Sequence, residues 1–420
     1  MLIEFKVQNY RSIRSEQTMS MVAGSYTEHL DSNTAESGVS ELGRLLRSSV
    51  LYGANAAGKT NVLRALQFMQ TVVVTSAANT PSRAYRYDPF KFDANNRGAP
   101  SSFEVAFLQN GTRYEYGFSL DEERIHSEWL IEYAHPRGRT IFERDYDPKS
   151  QTYEWKLGTF LKGQRTVWRD ATRPNALFLS TAVQLNSEQL LPVFEWFQKR
   201  LVVIVGVTAL NPSLTLQLLD QPDGKPTLLP FLQVADRDIS DISISRESVP
   251  QGSVIFPGAA IIEQVQGEPM PRLVKVSLSH SVGSNAEPVA LDLADESNGT
   301  QILFRTAGAL LNVFANGEVL LFDEIETSLH PLLIRYLVQR FNSSVTNKNN
   351  AQLVFSTHNT FLLEQDVFRR DQIWFVEKAT DGGSRLYPLS DFKPRNDEVL
   401  ERWYMRGKYG ALPTLTSVSA

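Results

Sequence analysis

The sequence predicts an α/β fold built on a mainly parallel β-sheet with helices on both faces. In the last third of the chain, apolar strands at 319–322, 352–356 and 372–376 alternate with helices, the first of which covers 300–314. Such alternation is typical of a parallel sheet whose strands are buried on both sides. An earlier apolar strand at 48–52, followed by a helical pattern, is predicted to belong to the same sheet.

The regions between these strands predict two insertions. The chain opens on a half-buried strand, in which Ile3, Phe5 and Val7 alternate with polar residues. Between 101 and 160, period-two alternation and the hairpin signal Asn110-Gly111 predict an antiparallel β-meander. The predicted domains are a split head at 1–186 and 274–420, which includes the meander, and a mainly helical insertion at 187–273. We expect that insertion to provide a partner or dimer surface.

The composition excludes several classes of protein. The chain has 420 residues, a formal net charge of −5 and no cysteine, so disulfide frameworks and thiolate metal sites are ruled out. Glu4 and Lys6 interrupt the apolar residues at the N-terminus, which argues against a signal peptide. The apolar run at 201–210 is too short to cross a bilayer. We therefore expect a cytoplasmic protein with no membrane partner.

A glycine-rich loop follows the strand at 48–52. The segment 53–60, G-A-N-A-A-G-K-T, fits the pattern G-x-x-x-x-G-K-[ST] and precedes an amphipathic helix. In such a loop the backbone N–H groups and the helix N-terminus bind phosphate. Lys59 is expected to reach the β- and γ-phosphates, and Thr60 to ligate Mg²⁺. The sequence thus predicts ATP and Mg²⁺, with a nucleotide-binding set of Gly53, Asn55, Ala56, Ala57, Gly58, Lys59, Thr60 and Asn61.

Two later strands end in candidate catalytic residues. Asp323 and Glu324 follow the strand at 319–322, where Asp323 is predicted to hold Mg²⁺ and Glu324 to polarise the attacking water. His358 follows the strand at 352–356, at the edge of an open sheet where ligands bind. The alternatives are a polar loop after the first strand and a structural histidine after the second. Together with Lys59, we take Glu324 and His358 as the catalytic candidates.

A Ser-x-Gly step opens the helix that covers 300–314. Ser297 and Gly299 precede this helix, and an N-cap would account for them without any function. A helix N-terminus with a hydroxyl and a glycine is also an anion site. The acidic residues Asp295 and Glu296 fit an anion site only if they face away from it.

The order of these motifs resembles the ABC-type ATPase head of the SMC, RecF and OLD families. The phosphate loop, the Ser-x-Gly step, the paired acids and the histidine occur in the family's order, with a D-loop candidate at 327–331. The chain looks most similar to bacterial RloA/AbiL-like ATP-binding proteins, which are linked to phage defence and often labelled AAA. The segments that carry this second resemblance are N-Y-R-S at 9–12, L-Y-G-A-N-A-A-G-K-T-N at 51–61, F-L-S-T-A-V-Q-L-N at 178–186, D-E-I-E-T-S-L-H-P at 323–331, F-S-T-H-N at 355–359, D-Q-I-W-F-V-E-K at 371–378 and R-W-Y-M-R-G-K-Y-G-A-L-P at 402–413.

The resemblance implies a P-loop NTPase fold of the ABC type and further site residues. In that family the Ser-x-Gly signature caps the γ-phosphate bound to the opposite subunit, so Ser297 and Gly299 imply an ATP-dependent head-to-tail dimer or a higher oligomer. Arg11 of the N-Y-R-S step is the candidate nucleotide contact, and Gln184 is the candidate glutamine that joins Mg²⁺ to water. The long interval between Lys59 and Ser297 resembles SMC and RecF heads rather than transporter subunits.

The same resemblance gives the leading functional hypothesis. It implies an ATPase that acts as a dimerisation switch in anti-phage, abortive-infection-type defence and controls a separate effector or nuclease from a neighbouring gene. Too few residues follow His358 for a nuclease domain of its own. The alternatives are an ATP-held scaffold with incidental hydrolysis and a RecF-like DNA-repair clamp. For a clamp, the basic and aromatic residues at 393–409 would stack on nucleic acid; otherwise they form a folded terminal segment.

Overall fold

The computed structural model describes residues 1–39, 41–80, 84–134, 137–206, 212–248, 261–263, 272–281, 287–327, 329–363, 367–395 and 398–413. Its strands are β1 (Leu2–Gln8), β2 (Gln17–Ser20), β3 (Thr34–Glu36), β4 (Arg44–Leu46), β5 (Ser48–Tyr52), β6 (Ser101–Gln109), β7 (Thr112–Leu120), β8 (Ile125–Tyr133), β9 (Arg139–Asp147), β10 (Thr152–Leu157), β11 (Leu201–Val205), β12 (Ile239–Ser248), β13 (Ile261–Glu263), β14 (Arg272–His280), β15 (Val289–Asp292), β16 (Val319–Asp323), β17 (Gln352–Ser356), β18 (Ile373–Lys378) and β19 (Ser384–Pro388). Its α-helices are α1 (Leu30–Asn33), α2 (Lys59–Thr75), α3 (Ala94–Arg97), α4 (Arg165–Ala171), α5 (Phe178–Gln184), α6 (Leu191–Glu195), α7 (Ser213–Leu219), α8 (Gly224–Leu232), α9 (Asn298–Asn316), α10 (Pro331–Asn342) and α11 (Leu400–Met405).

The chain divides into two compact units. The first contains Met1–Val205, Asn316–Glu324 and Val338–Ala420, and the second contains Gly206–Ala315 and Ile325–Leu337. The units differ from the predicted domains, because the second unit extends past the predicted insertion into α9. Among the described residues, no helix has both the length and the apolar character needed to cross a membrane.

A six-stranded sheet forms the centre of the first unit. Its order is β11-β16-β17-β5-β18-β19, and all its pairs are parallel except β18 with β19. Strands β5, β16 and β17 are buried along their whole length, which explains their continuous apolar sequence. The predicted α/β fold is confirmed. Because parallel strands end at the same edge, Tyr52, Asp323 and Ser356 end three adjacent strands on one side of the sheet.

Strand β11 corrects one prediction. Leu201–Val205 lies inside the segment predicted to be mainly helical, yet it pairs in parallel with Val319–Asp323. A short continuous apolar run fits a buried strand and a buried helix equally well by periodicity. The β-branched residues of L-V-V-I-V favour the strand, and the pairing with β16 decides it.

A seven-stranded antiparallel sheet forms the second layer of the first unit. Its order is β10-β9-β8-β7-β6-β1-β2, so the opening strand of the chain joins the predicted meander. Asn110 and Gly111 connect β6 to β7 with φ angles of 51° and 76°. Both values are left-handed, as a two-residue hairpin turn requires. The predicted meander is confirmed.

Helix α2 fills the space between these two sheets. Its residues Val62, Leu66, Met69 and Val73 are buried in one core with residues of both sheets. The helix contacts β1 and β6 on one side and β11 and β16 on the other. Burial of each such side chain contributes about 1.5–3 kcal/mol. The packing therefore holds the N-terminus of α2 at the end of β5.

A buried ion pair anchors the segment 178–186 to the meander. Glu128 lies 3.0 Å from Arg144, and both side chains are completely buried. The Glu128 carboxylate also accepts hydrogen bonds from the Tyr116 hydroxyl (3.0 Å) and from the backbone N–H groups of Phe178 (2.7 Å) and Leu179 (3.0 Å). The carboxylate thus satisfies N–H groups at the start of α5, which have no partner within the helix.

The second unit combines helices with a small antiparallel sheet. Strand β14 pairs with β12, β13 and β15. Helices α7 and α9 meet at Gly308, whose backbone N–H donates to Thr215 Oγ1 at 2.9 Å. A Cβ on Gly308 would lie 2.2 Å from the Thr215 backbone nitrogen, so this contact requires glycine.

The predicted helical character of 187–273 is also wrong at β12. Ile242 is buried and Ile244 half-buried, while Asp241, Ser243 and Ser245 are exposed, which is the period-two alternation of a strand. Strand β12 pairs with β14 over most of its length. The short helices α7 and α8 and the strands β12 and β13 all fall within the predicted insertion.

Candidate nucleotide-binding site

The glycine-rich loop leads from β5 directly into α2. Its backbone is left-handed at Ala56 (φ 61°) and Gly58 (φ 110°). A Cβ at Gly53 would lie 2.2 Å from the carbonyl oxygen of Val376, and a Cβ at Gly58 would lie 2.0 Å from Ser384 Oγ. Both glycines are therefore required by close contacts, and neighbouring strands define the path of the loop.

Lys59 is the first residue of α2, and its side chain turns back across the loop. Only 6% of the residue is exposed. Its Nζ donates to the carbonyl oxygens of Gly53 (2.8 Å) and Ala54 (3.2 Å) and lies 3.5 Å from His358 Nδ1. An ammonium group held against the loop carbonyls is suited to bind phosphate oxygens.

Two serines that the sequence analysis did not select hold the loop from outside. Ser384 Oγ donates to the Ala57 carbonyl (2.6 Å), and the Ser384 N–H donates to the Ser12 carbonyl (2.6 Å). The Asn61 amide donates to Ser12 Oγ at 2.8 Å. Asn61 therefore ties the first turn of α2 to the N-Y-R-S step rather than standing free for a ligand. Ser12 belongs to that step, whereas no local pattern marks Ser384.

The first acid after β16 lies next to the N-terminus of α2. Thr60 Oγ1 donates to Asp323 Oδ1 at 3.1 Å, and Ser356 Oγ donates to the same oxygen at 2.6 Å. Asp323 is only 6% exposed. A hydroxyl and a carboxylate are the hard oxygen donors that Mg²⁺ prefers, so Thr60 and Asp323 suit the predicted metal.

Glu324 occupies a left-handed backbone conformation immediately after Asp323. Its φ is 49°, and its backbone N–H donates to Ser356 Oγ at 2.8 Å. The residue is exposed whereas Asp323 is buried. A non-glycine residue in this region costs about 1–3 kcal/mol and is frequent at active sites. Ser356 thus contacts both acids, a role that only the fold reveals.

A cavity of about 700 Å³ opens beside the loop. This size suits a small-molecule ligand. Asn55 and His358 lie on its wall, and the C-terminal segment closes another side. The lining residues are Gly53, Ala54, Asn55, Ala57, His358, Thr360, Glu377, Lys378, Tyr404, Met405, Ala411, Leu412 and Pro413.

Arg11 lies one residue before Ser12, in a left-handed conformation with φ 51°. Its backbone N–H donates to the Asp88 carbonyl (2.7 Å), and its guanidinium lies 3.4 Å from the Asp88 carboxylate. The guanidinium also lies 5.6 Å from the centre of the Tyr10 ring. Arg11 therefore neighbours Ser12, which contacts Asn61 of the first turn of α2, but its charge is paired with Asp88.

Gln184 is not brought to the metal candidates, which corrects the prediction for this residue. It is exposed at the end of α5, and Ser180 of the same helix donates to the Val73 carbonyl at 2.6 Å. Val73 lies near the far end of α2, about 20 Å from Thr60 at 1.5 Å rise per residue. The F-L-S-T-A-V-Q-L-N segment therefore packs on the opposite end of the helix.

The Ser-x-Gly step belongs to the second unit, where Ser297 caps α9. Ser297 Oγ accepts a hydrogen bond from the Thr300 N–H (3.2 Å) and lies 2.9 Å from Thr300 Oγ1. Gly299 lies in the first turn of α9. The acid before this cap, Glu296, is bound to His280 Nε2 at 2.6 Å. The N-cap interpretation is thus supported, and the Glu296 carboxylate has a partner of its own.

The basic and aromatic residues near the C-terminus form a folded segment. Tyr404 and Tyr409 stack on Phe375 of β18, with ring centroids 5.3 Å and 5.8 Å away. Burial raises the pKa of Tyr404 to about 12. Lys408 pairs with Glu398, and hydrogen bonds from Lys408, the Arg395 backbone and Tyr409 lower the pKa of Glu398 to about 2. These rings are therefore used in packing rather than offered to nucleic acid.

The glycine loop, its buried lysine and the Thr60–Asp323 pair define a P-loop nucleotide-binding protein. Within the described residues, no group of three or more His, Asp or Glu side chains could hold a further metal ion.

The family follows from a sequence match. Residues 48–364 match the family model described as "AAA domain, putative AbiEii toxin, Type IV TA system". This match covers about three quarters of the chain, and the chain belongs to that family. No curated protein matches the sequence.

Solved structures of SMC heads are similar at low identity. The SMC head domain from Thermotoga maritima has 11% identity and a TM-score of 0.39, covering 92% of this chain and 98% of that one. The SmcHead bound to the C-winged helix domain of ScpA has 11% identity and a TM-score of 0.45, covering 92% and 97%. The Smc head with an extended coiled coil, bound to the C-terminal domain of ScpA derived from Pyrococcus furiosus, has 11% identity and a TM-score of 0.36, covering 93% and 97%.

Proposed function

We propose that the protein binds and hydrolyses ATP and that ATP joins two copies of the chain into a switch. The observation that carries this proposal is the convergence of Lys59, Thr60, Asp323 and Glu324 at one edge of the parallel sheet. Lys59 and Thr60 begin α2, whereas Asp323 and Glu324 lie at the end of β16. Their chemistry matches that needed for phosphoryl transfer to water.

Each residue has a defined task in this proposal. The loop amides and Lys59 bind the β- and γ-phosphates, and Thr60 with Asp323 would hold Mg²⁺, which neutralises charge on the phosphates. Glu324 accepts a proton from the attacking water. Two observations support this role: Ser356 fixes the Glu324 backbone, and the residue is exposed. His358 lies 3.5 Å from Lys59 Nζ, and in this proposal it would contact the γ-phosphate.

The second copy contributes the tip of α9. In the proposed dimer, Ser297 and Gly299 of each copy cap the γ-phosphate bound to the other copy. A helix N-terminus carries partial positive charge and free N–H groups, which suit an anion. The closed dimer is the ATP state, and hydrolysis opens it.

The biological output proposed for this switch is defence by a separate effector. The description of the family as a putative AbiEii toxin supports a role in toxin–antitoxin or abortive-infection systems. We propose that the ATP-bound dimer controls an effector or nuclease encoded next to it. If the protein acts as a switch, defence requires ATP hydrolysis. If it acts as a scaffold, a variant that binds ATP without hydrolysing it retains defence.

Two variants test the ATPase and the dimer. Glu324→Gln is expected to lower the hydrolysis rate about 100-fold or more and to accumulate an ATP-bound dimer, measured by phosphate release and by light scattering. Ser297→Arg is expected to block the dimer while one-site ATP binding remains. The controls are Glu188→Gln, an exposed acid elsewhere in the first unit, and Ser240→Arg, an exposed serine in the second unit.

Opposite results would overturn these assignments. Normal hydrolysis by Glu324→Gln would remove this residue as the base. An ATP-dependent dimer in Ser297→Arg that equals the Ser240→Arg control would remove the capping of one copy by the other.

A further inference from the structure

Glu296 poses an electrostatic problem for the proposed dimer. It directly precedes the Ser297 cap of α9, and a carboxylate near a helix N-terminus competes with any other anion for that end. Yet the side chain of Glu296 is only 6% exposed. A carboxylate that is this buried needs a partner close to it.

His280 is the partner that holds this carboxylate. Its Nε2 lies 2.6 Å from Glu296 Oε1, and its Nδ1 lies 3.5 Å from Asp236 Oδ2. The His280 side chain is only 12% exposed. Both ring nitrogens thus face carboxylate oxygens, and the ring lies between two acids of the same unit.

The sheet fixes the position of His280. It is the last residue of β14, where it pairs with Ile239 of β12 on one side and with Val289 of β15 on the other. A residue paired on both sides has little backbone freedom. The imidazole ring is consequently attached to a fixed backbone position on the sheet, next to the segment that precedes α9.

The backbone around Glu296 is held as well. Gln301, in the first turns of α9, donates its amide to the Glu296 carbonyl (2.9 Å) and to the Ala294 carbonyl (3.2 Å). The side chain and the main chain of Glu296 are therefore fixed from two different elements. A cap alone would need only Ser297 and the N–H of Thr300.

We propose that His280 is a positioning residue for the γ-phosphate cap. By binding the Glu296 carboxylate, it keeps this negative charge off the tip formed by Ser297 and Gly299, so that the tip accepts the triphosphate of a second copy. This inference rests on the proposed function: if two copies of the chain do not dimerise around ATP, His280 has no such role.

A pair of substitutions separates this role from a merely structural one. His280→Ala is expected to raise the dissociation constant of the ATP-dependent dimer about tenfold, the upper range for a charge at a helix end. Glu296→Gln in the same chain removes the released charge, so the double variant is expected within about twofold of wild type. His280→Gln, which keeps an N–H donor near the Nε2 position, is expected to show a smaller defect than His280→Ala.

Salt provides an independent readout. The defect of His280→Ala is expected to shrink between 0.05 M and 0.5 M NaCl, because screening weakens the repulsion between an exposed carboxylate and phosphate. ATP binding by isolated monomers, measured by calorimetry under dilute conditions, is expected to be unchanged in every variant.

The outcomes are distinct. A double variant as defective as His280→Ala, or a His280→Ala dimer as stable as wild type, would overturn the role of His280 alone. Failure of the wild-type chain to dimerise with ATP would instead overturn the proposed function. A variant that loses ATP binding by the monomer as well would show a general structural role, and would also overturn the positioning role.

Discussion

Replacing Ser356 by alanine tests how the two acids of the site are held. The hydroxyl of Ser356 donates to Asp323 Oδ1 at 2.6 Å and accepts the backbone N–H of Glu324 at 2.8 Å. Ser356 is fully buried, so water cannot replace the lost group without entering the sheet. The substitution removes one donor from a carboxylate and one acceptor from a backbone in a left-handed conformation.

The expected size of the effect follows from these two contacts. An unsatisfied buried polar group costs about 1–3 kcal/mol, and the released Glu324 backbone can relax from a conformation that itself costs about 1–3 kcal/mol. We expect the barrier to hydrolysis to rise by about 1.4–2.7 kcal/mol, which is roughly a 10- to 100-fold loss in kcat. ATP affinity is expected to change less, because the phosphate loop itself keeps its contacts.

The matched control is Ser49→Ala. Ser49 is also fully buried in the same sheet, on β5, and its hydroxyl donates to the Gln372 carbonyl at 3.3 Å. Both variants are expected to lose comparable stability in urea denaturation, but only Ser356→Ala should lose hydrolysis in a phosphate-release assay at saturating ATP. Equal kcat values for wild type and Ser356→Ala would refute the idea that this hydroxyl positions the acids.

Two further predictions concern stability. Glu128→Gln leaves Arg144 charged and without its ion-pair partner in a fully buried position, so we expect a loss of about 3–5 kcal/mol in the free energy of unfolding; a loss below about 1 kcal/mol by urea denaturation would contradict this. The pKa of Glu398 is lowered from its ordinary 4.5 to about 2, so its contribution is complete above about pH 4.5 and is lost as the pH falls towards 2. Hydrogen exchange should therefore show the C-terminal segment loosening across that range, and Glu398→Gln should loosen it already at pH 7; a pH response in Glu398→Gln equal to that of wild type would refute the assignment.

Much of the fold could be predicted because its signals are local. The strand, glycine loop and amphipathic helix at 48–75 follow one another directly in the chain. Their combined sequence pattern indicates a phosphate-binding loop. The hairpin at Asn110 and Gly111 is equally local, since two adjacent left-handed residues decide the turn. The parallel sheet is predicted by continuous apolar runs, which are typical of strands buried on both faces.

The errors occurred where local patterns are ambiguous. The apolar run of β11 fits a helix or a strand until its pairing with β16 is known. The family resemblance selects Gln184 by its position between two motifs, whereas contacts of α5 with the distant end of α2 decide its location. Sequence order carries no information on which end of a helix a later segment meets.

The sequence by itself determined the local motifs of this protein: a phosphate loop with its lysine, and two adjacent acids at the end of one strand, each encoded within a few consecutive residues. Only the tertiary structure decided how these groups are held. Ser384 reaches the Ala57 carbonyl across more than three hundred residues of chain, and Ser356 joins two acids of a neighbouring strand. The physical reason is that such hydrogen bonds depend on which strands become neighbours, and strand order is set by packing of the whole unit rather than by any short segment.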